Sequence, residues 1–457
     1  MLPPVVLAAD YAGTVQATER IDVRVRDTVT TTAGALTVVT PTGQTAIVPA
    51  GTVPTQTPPP VAGIDFDDRA SVTLRAYSRT TQLSLTYAPT VTLQDAENGI
   101  NSQNEPLVLQ SLMGLVGWHS RSTTLLLTEG ATYGTFNSAY QFAPGAALPT
   151  PTPGQMAPGQ MAPAMGTTAP VGGTTATTTQ LAPGPVNVYF GSTLTSLTLA
   201  QRLDRRSQFT LGATYAAMGG LDASSRLALP TNEGPRADAS FDYALSRSLH
   251  AVTLGHAEMT SFGQTQCYTN DGTPIASALC EPRDGIARIS EGLRDALSRS
   301  TTISVDAGAS YARVQSSHDV PYSYHAYPSL QAGLLHVFGQ RGRQTFSANV
   351  LFTPLLDIRT GLVSDSLQGQ LALTERLSET VTINADAVGG QTFPTNAPLA
   401  AEVVRGTTEA RFRSDRLDSL VFILGENAQW QNQGVLGGFF SIFGYLAVAV
   451  STRALRL

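Results

Sequence analysis

The chain has 457 residues, of which only 14% are charged and 42% apolar, whereas a typical soluble domain carries roughly 25% charged residues, so a pair of soluble enzymes is a poor fit. All 28 basic residues are Arg and the formal net charge is −6, which leaves no basic field for nucleic acid. The longest nearly apolar run, Val435 to Val450, is interrupted by Gly and Ser and falls short of the roughly 18 residues a spanning helix needs.

From the N-terminus, residues 1–9 are apolar and end in the small pair Ala8-Ala9 without a basic start, and are expected to be the remnant of a signal peptide. Residues 10–64 combine one strand with an irregular Thr- and Pro-rich stretch. Within it, Thr18 to Asp27 places Glu19, Ile21, Val23 and Val25 on one parity, and Ala35 to Thr40 with Thr45 to Pro49 around Pro41-Thr42-Gly43 forms a candidate small hairpin. That hairpin belongs either above a membrane or inside a lumen.

Over residues 65–457 the pattern has period two, in segments of about ten residues. In Gln208 to Met218, Gln208, Thr210, Gly212 and Thr214 face one way, with Phe209, Leu211, Ala213 and Tyr215 the other. Thr302 to Tyr311 and Arg236 to Leu245 repeat the pattern. A soluble sandwich also alternates, so the connections must decide. Short ones recur with Ser-Arg or Asp-Arg chemistry, at Ser78 to Thr80, His119 to Ser122, Asp204 to Arg206, Ser246 to Ser248, Ser298 to Ser300, Gln340 to Gly342, Glu375 to Ser378 and Ser414 to Arg416. Between them lie long Gly-, Pro-, Asn- and Asp-rich loops, including 134–188 and 261–285; the Pro/Gly/Thr-rich stretch 143–186 is expected to be a disordered extracellular loop. Short turns on one side and long loops on the other define an all-β transmembrane antiparallel barrel with periplasmic turns and extracellular loops. Sixteen strands fit between residues 71 and 429, Tyr445 to Arg456 adds another, and closure with an even number recruits the strand before residue 71. The expected total is about eighteen, with sixteen as the fallback.

Cys267 and Cys280 share the polar segment Ser261 to Asp284, where no strand is expected, and a local disulfide between them fits an oxidising compartment. The six His residues show no zinc spacing, no Ser/His/acid trio stands out and no phosphate loop is present, so neither catalysis nor a cofactor nor a metal is expected. The charged residues on the polar parity are Arg75, Arg202, Arg236, Asp238, Asp242, His256, Glu258, Arg288, Arg294, Asp306, Asp386, Arg405, Glu409, Arg411 and Arg453. They are read as lumen-facing, either a slightly cationic path for a polyanion or a mixed network bracing the wall. Glu129, Glu291 and Glu426 fall on the apolar parity near strand ends or Gly, and bulge or rim positions are expected for them ahead of a subunit contact.

Thr81 to Pro89, Leu125 to Gly134 and the repeated Leu-Ser-Arg-Ser turns resemble the β-barrel porin-like proteins encoded with polysaccharide export systems in Gram-negative bacteria. The resemblance runs over residues 65–457 in style and carries over no functional residue. It implies an outer-membrane conduit for exopolysaccharide, set in outer-membrane lipid and working with a Wza-like periplasmic export protein. The ending Arg456-Leu457 departs from the usual aromatic last residue of assembly signals. A general diffusion porin and a plugged structural or adhesive barrel are the alternatives.

Overall fold

The computed structural model describes residues 12–31, 36–39, 45–48, 63–94, 106–137, 187–263, 265–268, 274–315, 321–339, 343–357, 362–393, 402–414, 419–432, 438–451 and 455–456. Residues 1–9 and 143–186, for which a signal remnant and a disordered loop were expected, lie outside them.

Alternating side chains produce long strands, and each pairs antiparallel with its neighbour. In chain order they are β1 (Ala12–Thr31), the short β2 (Leu36–Val39) and β3 (Thr45–Val48), then β4 (Gly63–Tyr77), β5 (Thr81–Gln94), β6 (Leu107–His119), β7 (Thr123–Asn137), β8 (Asn187–Arg202) and β9 (Ser207–Gly220). After the one-and-a-half-turn helix α1 (Ala223–Ala228) come β10 (Asn232–Ala244), β11 (Leu249–Phe262), the short β12 (Thr265–Tyr268) and β13 (Pro274–Cys280), β14 (Arg283–Ala296), β15 (Thr301–Gln315) and β16 (Ser323–Phe338). The chain continues through β17 (Gln344–Asp357), β18 (Leu362–Arg376), β19 (Val381–Phe393), β20 (Glu402–Arg413), β21 (Leu420–Asn432), β22 (Gly438–Ser451) and its short continuation β23 (Leu455–Arg456).

Eighteen strands form the wall, and β1 closes it by pairing with β4 on one side and with β22 and β23 on the other. An open edge would leave backbone groups unpaired in hydrocarbon, so closure is what permits the strands to span a membrane. The eight Arg-bearing connections join wall strands at one end, and every long connection lies at the other, as the spacing predicts.

Because directly paired residues share a face, the registers assign the described wall side chains to one face or the other. Leu74, Leu85, Val116, Leu127, Leu197 and Leu211 are aligned on the outer face, all exposed. So large an exposed apolar surface marks the lipid-facing band of an outer-membrane barrel. Aromatic side chains edge this band. Tyr133 and Tyr189 meet edge to face at 5.3 Å, and Tyr311 stacks on Tyr324 at 5.8 Å, toward the long-loop end; Trp118, Tyr243, Phe412 and Phe422 hold the short-turn end. Such girdles sit at the two membrane interfaces.

Two features differ from expectation, and one expected feature gains a partner. Several strands run further: β4 starts at Gly63 rather than near residue 71, because Asp65, Asp67, Asp68 and Arg69 break the apolar alternation while their backbone stays paired with β1. Strands also form inside Ser261 to Asp284, where β12 pairs with β13. The candidate hairpin around Pro41 forms as β2 and β3, and β2 adds to β13 in parallel, making a separate four-stranded sheet.

Candidate functional site: the charged lumen wall

A barrel of 16 to 18 strands is too wide for its side chains to fill. The inner face of this one is polar, and the registers place on it all the charged residues expected there except Arg453, which lies outside the described residues. The same registers place the two partners of most ion pairs on neighbouring strands or two residues apart on one strand, and Arg294 of β14 reaches Asp242 of β10 past the intervening β11.

Most of them gather on the wall formed by β10, β11, β14 and β15. Arg236 and Glu258 are register partners, as are Asp238 and His256. Asp238 accepts from Arg236 Nε at 3.2 Å and lies 2.8 Å from His256 Nδ1, while His256 Nε2 lies 3.5 Å from Glu258. One strand end further on, Asp242 lies 2.7 Å from His250 Nδ1 and 3.7 Å from Arg294 Nη1. His256 is thus held between two carboxylates, and on β14 its register partner is Arg288. Asp306 folds over Gly292, where a Cβ would stand 2.0 Å from its Oδ1. Arg288 reaches across the lumen side to donate to Thr353 Oγ1 of β17 at 3.4 Å.

A second group sits on β19 to β22. Arg411 pairs with Glu409, and Glu409 also accepts from Tyr445 Oη at 2.9 Å. Arg20 of β1 lies over the Tyr445 ring, 5.8 Å from its centroid, so this group reaches across the closing seam of the barrel. Asp386 and Arg405 share its inner face. Arg75 stands on β4 between Thr14 and Ser84, and Arg202 bends to the short-turn end, donating from Nε to the Asp204 carbonyl at 3.0 Å. Arg202 therefore belongs to the rim.

Sequence reasoning missed the Asp67–Arg69 pair, joined at 3.0 Å on the inner face of β4, because both precede the point where the strand was expected to start. It also missed His250, whose parity with His256 and Glu258 was the available signal.

The three outer-face glutamates are a correction. Glu129, Glu291 and Glu426 lie well inside β7, β14 and β21, in unbroken register, and occupy neither bulges nor rims. Each faces a Thr on an adjacent strand: Thr195, Thr253 and Thr408. Thr195 donates to Glu129 at 2.9 Å and Thr408 to Glu426 at 3.0 Å. A partner supplied from the neighbouring strand, which water would otherwise provide, is what lets a carboxyl sit on this face.

A further wall element is apolar. The loop between β9 and β10 folds onto the inner face at the long-loop end, where Leu229 packs with Val188, Phe190 and Phe262, and with Leu109 and Met218 beside them. Asp222 caps α1 by accepting from Ser225 N at 2.7 Å, and Ser225 Oγ accepts from Tyr189 N at 2.8 Å. Gly219 admits the loop: its φ of 152° is one that L side chains rarely adopt, and a Cβ there would stand 2.4 Å from Thr231 Cα. The loop therefore narrows the lumen from one side.

Cys280 at the end of β13 is disulfide-bonded, and its register partner Thr265 opens the strand that carries Cys267. Among the described residues, no group of three or more His, Cys, Asp or Glu could hold a metal.

A model of the EpsX exopolysaccharide export family matches residues 20–420. No curated protein matches the chain. Among solved structures it is similar to Pseudomonas aeruginosa OpdL (10% identity, TM-score 0.43, 97% of this chain and 99% of that one). It is similar also to P. aeruginosa OccK7 (OpdD) (11%, 0.44, 98% and 100%) and to the FrpB iron transporter from Neisseria meningitidis (10%, 0.45, 93% and 62%).

Proposed function

We propose, for a chain that belongs to the EpsX exopolysaccharide export family, that its lumen is the outer-membrane passage through which the polymer leaves the cell. The protein is an outer-membrane β-barrel channel. The observation that carries the reading is the self-neutralised wall: carboxylates on β10 and β11 are engaged by Arg236, His256, His250 and Arg294, so the wall is densely polar without presenting one sign of charge. A hydroxyl-rich chain needs many hydrogen-bonding partners of moderate strength and no deep charge well that would hold it, and a paired wall supplies that.

A Wza-like periplasmic export protein is the proposed partner, docking at the short-turn rim. There Arg79, Arg121, Arg206, Arg247 and Arg299 are exposed, forming a cationic collar that an acidic face or an anionic polymer would meet.

The deciding experiment is deletion, with surface polymer and lipid-linked intermediates measured in the same cells. Loss of surface polymer with intermediates still made supports the passage. Normal surface polymer with impaired uptake of small solutes would assign a diffusion porin instead, and loss of cell contact alone an adhesive barrel.

A further inference from the structure

At the long-loop end of the barrel, two insertions from opposite walls join in one sheet. The β2–β3 hairpin is inserted between β1 and β4, and the β12–β13 hairpin between β11 and β14. Around the wall these two insertions are eight strands apart one way and ten the other, so they rise from facing sides of the mouth. They nevertheless share one four-stranded sheet in the order β12-β13-β2-β3, joined at Ile275↔Val39.

Chain geometry shows what that joint must do. Eighteen strands about 4.8 Å apart and tilted by about 40° enclose a ring roughly 35 Å across. Val39 lies eight residues beyond the end of β1, and Ile275 eight residues before the start of β14, so at about 3.3 Å per residue each arm reaches at most about 26 Å. Neither arm spans the mouth alone; the pairing of Val39 with Ile275 shows that the two together do.

The strength of the parts is unequal. Each hairpin is internally laddered, Leu36↔Val48 through Val39↔Thr45 in one and Thr265↔Cys280 through Tyr268↔Pro274 in the other. Among the described residues the joint between them is one bridge pair in parallel register, the weaker geometry per residue. Breaking it costs no pairing in either hairpin or in the wall.

We infer that the β2–β3 hairpin is a displaceable strap: docked on β13 it bars the extracellular mouth, and released from β13 it opens the lumen. The α1 loop, already packed on Val188, Phe190 and Phe262, fixes one side of the mouth against which the strap closes. Gating of this kind acts on any solute, so it stands apart from the assignment of polysaccharide as cargo.

The test is single-channel conductance of the full-length protein in planar bilayers. In a Cys267→Ser, Cys280→Ser background, Val39→Cys with Ile275→Cys ties the joint shut under oxidation; each single cysteine is the control. A second variant replaces residues 36–48 with a Gly-Ser linker and leaves the wall intact. The expected result is a severalfold drop in open-state conductance in the oxidised double-cysteine protein, restored by reductant, and a severalfold rise in the linker variant. Equal conductance in the oxidised and reduced forms, or an unchanged conductance in the linker variant, overturns the strap. Neither result bears on whether deletion abolishes surface polymer.

Discussion

Thr408 and Glu426 stand directly across β20 and β21 on the outer face, with the Thr408 hydroxyl donating to the carboxyl at 3.0 Å. Beside them a depression of about 340 Å³ runs among Ala385, Ala387, Gly406 and Ala428. Hydrogen bonds in membranes average about 0.6 kcal/mol in double-mutant cycles, with a maximum of about 1.7. Thr408→Val should therefore destabilise the barrel by about 1 kcal/mol, and Glu426→Leu should be neutral or stabilising, since it removes the group that needs a partner. Urea unfolding in lipid vesicles measures both; a stable Thr408→Val beside an unstable Glu426→Leu would show that the carboxyl has another role.

The face assignment makes a sharp contrast between adjacent residues. Leu211 points to lipid and Gly212 to the lumen, where a Cβ would make ordinary contact with Asp238 at 3.7 Å. Leu211→Arg should cost about 2 to 4 kcal/mol near the midplane, whereas Gly212→Arg should insert normally. Heat-modifiable mobility on gels reports insertion. Gly308 is no site for such a test, because a Cβ there would meet the Ile289 carbonyl at 2.0 Å.

Asp238 is the hub of the β10–β11 network, bonded to both Arg236 and His256. Asp238→Ala should destabilise by about 1 to 3 kcal/mol, because two cationic or donor groups lose their shared acceptor. The double variant Asp238→Ala, His256→Ala should cost less than the sum of its parts, as coupled neighbours do. Additive costs in urea unfolding would mean that the two side chains do not interact.

At the short-turn end, Asp204 accepts from Arg206 N at 2.6 Å and Ser207 N at 2.8 Å, and these backbone bonds hold its carboxyl below the ordinary value of 3.8. A group depressed in the folded state contributes stability that is present above the unfolded value and is lost as pH falls through the folded one. The difference in stability between wild type and Asp204→Asn should therefore shrink on going from neutral pH to about pH 2. A difference independent of pH would remove the charge from the explanation.

Topology and the cysteine pair can be read on intact cells. Ser224→Cys, in exposed α1, should react with an impermeant thiol reagent, and Arg247→Cys, in the opposite turn, should not. We propose that Cys280 pairs with Cys267; unreduced wild-type protein should then resist alkylation at both cysteines, and reactive thiols in the unreduced protein would contradict it.

The wall was legible in the sequence because period two survives wherever one face meets lipid: Leu211 and Thr210 declare their sides without any neighbour. Strand ends were less so. Above the apolar band nothing selects for alternation, and Asp67 and Arg69 look like loop although β1 pairs with both. The outer glutamates misled for another reason: what satisfies Glu129 is Thr195, 66 residues away, and only the register brings them together. The same holds for β2 and β13, whose encounter depends on barrel curvature and leaves no local trace.

The seam has a consequence for the order in which the barrel forms. Thr18 pairs with Ser451 and Asp27 with Ile442, more than 400 residues apart, while every wall pairing outside the seam of β1 with β22 and β23 joins wall strands that follow one another in the chain. Closing a loop that long carries the largest entropy of any contact in the protein, and nothing local can nucleate it. Hairpins must therefore accumulate first, leaving a growing open sheet with two sticky edges, β1 and β22, until the last zip. Any variant that slows that final step lengthens the life of an aggregation-prone intermediate without altering one contact of the finished wall.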